Sequence, residues 1–328
     1  MRRRNAVLLV LLFLSAAVLI VVPLVGMHAL SWRDVWLEGG QGHRIFWELR
    51  LPRVCLAWVT GATLGVCGAV FQALFRNPLA SPDMLGVSTG AAFGAVLSIR
   101  LGLTVSLLPG LSGLSVPAFL GAGAATAVVC AAGSWRGGGT FSLLLSGIAV
   151  SFLSSSLTLI VQYTGNYVDT FRMARWTMGS VQAVGFGALW TTLPALLFIL
   201  AVAVFCAPEL DLFLCGEELA ESRGVSVRRL RLGLFVGVSL AVAASVSACG
   251  PVGFIGLMGP HICRRLVGPV HRALLVASAL FGGTFLVACD TAARTLWAPA
   301  EIPVGVLTSC MGSFFFLWLL LRRERHER

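Results

Sequence analysis

The feature that most limits what this sequence can fold into is a series of apolar runs, each long enough to cross a bilayer and separated by short polar interruptions. A helix needs about 17 to 25 residues to traverse the hydrocarbon, and there every backbone N–H and C=O must find its partner inside the protein. Candidate spans read at Ala6–Val25, Val54–Phe75, Met84–Ile99, Leu114–Ala132, Phe141–Val161, Leu189–Ala207, Leu232–Ala248, Val252–Ile262, Ala273–Cys289 and Val304–Leu321. About ten crossings result. Only 12% of residues are charged, against roughly 25% in soluble chains, and the mean hydropathy is +0.90. These values exclude a water-soluble domain. The chain reads as an all-α integral membrane protein, one transmembrane domain over residues 1–328.

The first run follows MRRR and exceeds the roughly 7 to 15 apolar residues of a signal peptide, so it reads as a span. Both chain ends are arginine-rich, and the positive-inside rule places both in the cytoplasm. An even number of crossings then requires the short eighth segment to cross as a half-helix, with irregular backbone buried in protein. This topology puts Arg2, Arg3, Arg4, Arg76, Arg136, Arg223, Arg228, Arg229, Arg231, Arg264, Arg265, Arg272, Arg322, Arg323, Arg325 and Arg328 inside. The other arginines, Arg33, Arg44, Arg50, Arg53, Arg100, Arg172, Arg175 and Arg294, fall outside or near the outer ends. The inner face is the more basic.

All 24 basic residues are arginine. A phosphate-binding P-loop requires a lysine, so any ATP that drives this chain is hydrolysed by a separate subunit. The nine cysteines lie mostly inside apolar runs with no two-residue spacing, and His28, His43, His261, His271 and His326 are scattered without an HExxH pattern. No catalytic, metal-binding or cofactor-binding constellation is expected.

Two connections exceed a turn. Tyr163–Gly187 carries Asp169, Arg172 and Arg175 beside Phe171, Met173 and Trp176, the pattern of a short amphipathic helix at the membrane interface. The stretch 208–231, PELDLFLCGEELAESRGVSVRRLR, is the most hydrophilic of the chain and suits a soluble docking partner.

The hairpin Arg50–Gly90 is specified at both ends. Gly61, Gly65 and Gly68, then Gly86, Gly90 and Gly94, place small residues on single helix faces for close packing. In the turn FRNPLASPD, Pro78 disfavours helix at Asn77, and Ser81, Pro82 and Asp83 read as N-cap, first-turn proline and dipole-compatible acid. In the fifth span Ser151, Ser155 and Thr158 share a face; two readings stand, lining a pathway or bonding a neighbouring helix. Glu301 and Pro303 precede the last span, where a carboxylate suits a capping role.

The blocks RLPR, GAVFQALFRNPLASPDMLGVSTGA, LLLSGIA, GPVGFIGLMGPHICRR and EIPVGVLTSCMGSFFFLWLL, in this order and spacing, resemble the FecCD family of ABC-import permeases from about Trp32 to Leu321. That family includes permeases for ferric siderophores, haem and cobalamin. The resemblance implies a type II ABC importer permease fold of ten helices, a permease dimer in the inner membrane, two cytoplasmic ATPase subunits that bind ATP and Mg, and a periplasmic or lipoprotein binding protein. Nucleic acid is not among the expected partners. Carried over by residue, the resemblance makes Arg50, Arg53 and Arg294 a docking site for carboxylates of the binding protein, as bidentate pairing favours. The competing readings are interfacial snorkelling and, for Arg294, an i,i+4 pair with Asp290. Gly216, Glu217, Glu218, Ala220, Arg223 and Gly224 match coupling helices that meet the ATPase, and Thr140 matches a position at the gate. Ferric siderophore is the cargo the resemblance most favours.

Two other function classes fit the residues less well. A secondary transporter places ionisable groups near the bilayer midplane, whereas Asp and Glu here cluster near span ends. An intramembrane enzyme needs paired acids or histidines within spans, and none is read.

Overall fold

The computed structural model describes residues 2–26, 32–36, 40–103, 112–135 and 139–324. Arg136, Arg325, Arg328, His28 and His326, named above, lie outside the described residues. Within them the structure is helical: α1 (Arg2–Val21), α2 (Gln41–Leu74), α3 (Val87–Arg100), α4 (Ser115–Trp135), α5 (Thr140–Tyr163), α6 (Tyr167–Thr177) and α7 (Gly187–Phe205) are followed by α8 (Ala207–Cys215), α9 (Glu217–Ser222), α10 (Val227–Cys249), α11 (Ile255–Val267), α12 (His271–Thr295) and α13 (Val304–Glu324).

Eight of these helices, α1, α2, α4, α5, α7, α10, α12 and α13, are long and apolar enough to cross a membrane, making this a multi-pass membrane protein. The remaining two expected spans are α3 and α11, of 14 and 13 residues. At 1.5 Å per residue these reach about 20 Å, short of a hydrocarbon core of about 30 Å. The eighth segment is thus a short helix, displaced from the expected Val252–Ile262 because residues 250–254 stay non-helical up to Phe254, whose φ is 68°. That irregular backbone is held inside protein: Gly250 and Val252 are buried, Gly250 N–H donates to the Val246 carbonyl at 2.7 Å, and Ile255 N–H donates to the Gly253 carbonyl at 2.9 Å.

Position follows burial rather than hydropathy. In its most apolar window α2 is 89% buried, while α1, α5 and α13 are 17 to 22% buried. A helix apolar on all sides belongs in a core, and α2 is that core element, with α7, α10, α11 and α12 packed around it. The expected start of this span at Val54 is corrected: α2 begins at Gln41 and passes through a π-helical stretch at Ile45–Arg50. Arg44, Glu48 and Arg50 lower the hydropathy of that stretch without breaking its helix.

The α2–α12 contact sets the frame for the sites. The helices run antiparallel: Arg53 meets Asp290, Gly61 meets Gly282 and Gly65 meets Ser278. Steps of eight and four residues on one helix match equal steps backward on the other, so the seam holds register for about 18 Å. A Cβ at Gly61 or Gly65 would run into the main-chain oxygen of Gly282 or Ser278, and one at Gly68 into that of Gly256 on α11. The expected glycine packing is present at these positions and at Gly90 and Gly94 against α4. Gly86 differs, sitting at φ 87° as the left-handed residue before α3.

The turn after α2 departs from the expected cap. Ser81 precedes a short 3-10 turn, Pro82–Leu85, and makes no capping bond; its hydroxyl donates to Asp83 Oδ2 at 3.2 Å, and Ser88 donates to Oδ1 at 3.2 Å. The next helix starts at Val87 rather than Met84.

Candidate functional site

The candidate residues expected on the outer and inner sides lie near opposite ends of α12. From His271 to Arg294 the helix covers about 34 Å at 1.5 Å per residue, slightly more than the hydrocarbon thickness. Groups at the two ends therefore face different sides of a bilayer.

At the outer end, Arg50, Arg53, Arg294, Glu301, Gln182 and Gly26 line a cavity of about 520 Å³. Arg50 and Arg53 are three apart on α2, hence on one face. Arg50 is 9% exposed and donates through Nη1 to the carbonyl of Leu24 at 3.2 Å and that of Pro23 at 3.5 Å. Gly26 leaves room for this guanidinium, which a Cβ there would meet at 2.5 Å. Arg53 makes a bidentate pair with the buried Asp290, Nη2 to Oδ1 at 2.9 Å and Nε to Oδ2 at 3.0 Å. Its remaining nitrogen, Nη1, donates to Glu301 Oε2 at 3.1 Å. Arg294 stands 3.7 Å from Asp290 Oδ2, the expected i,i+4 pair, but its Nε and Nη2 have no hydrogen-bond acceptor among the described residues.

The three arginines expected to act together are thus assembled around one cavity. Glu301 is a correction. It lies three residues before the first residue of α13, and its carboxylate is spent on Arg53 rather than on capping that helix. Two carboxylates and three guanidiniums leave this cluster with a formal charge of +1, and a cavity of that sign favours an anionic visitor.

At the inner end, α8 and α9 form the expected segment. Gly216, at φ 139°, breaks one from the other, and Gly224, at φ 85°, ends the turn after α9. Both angles lie where L side chains are strained. Ala220 is fully buried with Phe213 and Val227, so α9 is seated by a small apolar cluster of its own. Glu218, Leu219, Glu221 and Arg223 face out. Glu217, itself partly exposed, is tied to the buried Arg231 at 2.6 Å, and Arg231 also sits 5.7 Å from the Phe213 ring centre. Thr140 Oγ1 donates to Glu217 Oε1 at 3.4 Å, which joins the expected gate position to the expected coupling segment.

A second anchor was not anticipated. Asp211 Oδ1 on α8 accepts from both the backbone N–H and Nδ1 of His271, at 3.0 and 2.6 Å. The inner segment is thereby fixed to the first residue of α12, the helix that carries Asp290 and Arg294 at its other end. No local signal announces a pair 60 residues apart.

The polar residues of α5 separate. Thr158 is buried and returns its hydroxyl to the Ser154 carbonyl at 2.8 Å, while Ser151 and Ser155 are half-buried at the edge of the packed face. The exposed side of α5 is mostly apolar, with Phe141, Phe152 and Leu159 among its exposed side chains beside Ser156.

The FecCD transport family model matches residues 8–322. The hemin transport system permease protein HmuU of Yersinia pestis is 38% identical, the match covering 98% of this chain and 95% of that protein. The cobalamin import system permease protein BtuC of Halobacterium salinarum is 42% identical over 84% of this chain and 73% of that protein. Among solved structures, one described as an inward-facing metal-chelate type ABC transporter superposes with a TM-score of 0.85 at 29% identity, covering 97% of this chain and 99% of the other.

Proposed function

Because the chain belongs to the FecCD transport family, we propose that it is the membrane permease of an ABC importer for a metal chelate. The observation that carries this reading is the two-ended arrangement. An arginine-lined cavity at the outer end borders the α2–α12 pair, and at the inner end α8, which leads into the acidic, exposed α9, is bonded to the first residue of α12. In this reading two copies of the chain enclose the pathway in the inner membrane, with ten crossings each. Two ATPase subunits seat against Glu218, Leu219, Glu221 and Arg223, and a binding protein docks outside on Arg50, Arg53 and Arg294. Thr140, Ser151 and Ser155 lie toward the gate and pathway. ATP and Mg are bound by the ATPase subunits.

Direction comes from differential binding: the loaded binding protein and the nucleotide-bound ATPases must favour different permease conformations. Ferric siderophore is the cargo proposed, on the breadth of siderophore permeases in the family. Hemin is the second reading, favoured by the hemin permease matched over 98% of this chain. The test is binding of ferric siderophores, hemin and cobalamin to the separately purified binding protein, followed by transport of whichever binds. Tight binding of a ferric siderophore supports the first reading; binding of hemin alone replaces it with the second. A chelate that binds but is not transported by the reconstituted system refutes the importer assignment.

A further inference from the structure

We propose that Glu301 occupies, from within the chain, the place a carboxylate of the docking partner takes, and that docking exchanges one for the other on Arg53. This rests on the reading of the outer cavity as the binding-protein site. Arg53 has two acceptors of unequal standing. Asp290 is 3% exposed and holds Nε and Nη2 together; Glu301 is 47% exposed and holds Nη1 alone. The pair with Glu301 is the one a visitor can displace, since exposed ion pairs contribute little. Glu301 borders the same cavity as Arg50 and Arg294.

Arg294 supplies the second, independent observation. Its side chain is 9% exposed and lines the cavity; its Nε faces Asp290 Oδ2 at 3.7 Å, too long for a hydrogen bond, and its Nη2 has no hydrogen-bond acceptor among the described residues. A buried guanidinium with open donors calls for an oxygen ligand. A carboxylate entering from outside would meet Arg294 and the Nη1 edge of Arg53 together, provided Glu301 withdraws. The occupant is therefore a Glu or Asp side chain on the surface of a soluble partner protein, and Glu301 sets the threshold it must pass. Glu301 acts as a competitor for the site, so its removal strengthens docking, whereas removal of a docking contact would weaken it.

The experiment uses the full chain assembled with its ATPase subunits in lipid nanodiscs, titrated with the substrate-binding protein of its own transport system. Glu301→Gln is expected to tighten docking about two- to fivefold, the range an exposed ion pair spans. In an Arg53→Gln background the same substitution is expected to change nothing. Should E301Q fail to assemble, Glu301→Asp, which retracts the carboxylate by one methylene, is expected to tighten docking as well. Docking that is unchanged or weaker in E301Q while Arg50→Gln weakens it overturns the exchange and leaves the docking site standing. Docking that is indifferent to Arg50→Gln, Arg53→Gln and Arg294→Gln alike overturns the site itself.

Discussion

Replacing Asp290 with alanine removes the buried carboxylate that pairs with Arg53 across the α2–α12 seam. The carboxylate is 3% exposed and holds Arg53 through contacts at 2.9 Å on Oδ1 and 3.0 Å on Oδ2, with Arg294 3.7 Å from that same Oδ2. Removing one partner of a buried pair costs about 3 to 5 kcal/mol, because the other charge is left desolvated. Arg53 keeps Glu301, which places the expected loss near the lower end, about 3 kcal/mol. Glu301→Ala removes a half-exposed partner and is expected to cost at most about 1 kcal/mol. At roughly 2 °C per kcal/mol for a chain of this size, D290A should melt about 6 °C below the parent and E301A within about 2 °C of it. The assay is thermal unfolding in nanodiscs followed by tryptophan fluorescence. Equal shifts for the two variants, or a D290A shift under about 2 °C, would refute the assignment of Asp290 as the buried hub.

Four further outcomes are expected. Gly65→Leu drives a side chain into the Ser278 carbonyl and should cost about 3 kcal/mol or more as the α2–α12 seam opens, read as loss of monodisperse protein after purification. Asp211→Ala frees α8 from His271; ATP hydrolysed per chelate transported should rise severalfold in proteoliposomes, with Asp211→Glu restoring part of the coupling. Glu218→Arg reverses an exposed charge on α9 and should weaken ATPase association severalfold, measured by titrating ATPase subunits onto nanodisc-held permease. Glu217→Gln should instead lower the melting temperature, since Glu217 is held by Arg231.

What could be read from the sequence was mostly local. Apolar runs located the long helices because burial in lipid or protein imposes the same composition along a whole span. Small residues at Gly61, Gly65 and Gly68 announced a close helix contact, though not with which helix. The pattern after Tyr163 announced α6, where Asn166 accepts from Asp169 N–H as an N-cap and Met173 faces in. Long-range pairing was not legible. Arg53 and Glu301 are 248 residues apart, and nothing near either reveals that the chain return before α13 brings them together. Glu217 looked interchangeable with Glu218 and Glu221, since three acids on a short helix differ only in what the rest of the fold sets beside them; Arg231 decides it. The start of α2 is not legible because Arg44, Glu48 and Arg50 interrupt the hydropathy while the chain stays helical, through a π-helical stretch at Ile45–Arg50.

The most direct measurement is uptake of the labelled chelate into proteoliposomes containing this chain, with the ATPase subunits and the binding protein each added or omitted. Uptake is expected only when both are present with ATP and Mg, and is expected to be lost when the ATPase subunits are left out. Accumulation driven by an ion gradient without the ATPase would contradict this expectation and make the chain a secondary transporter.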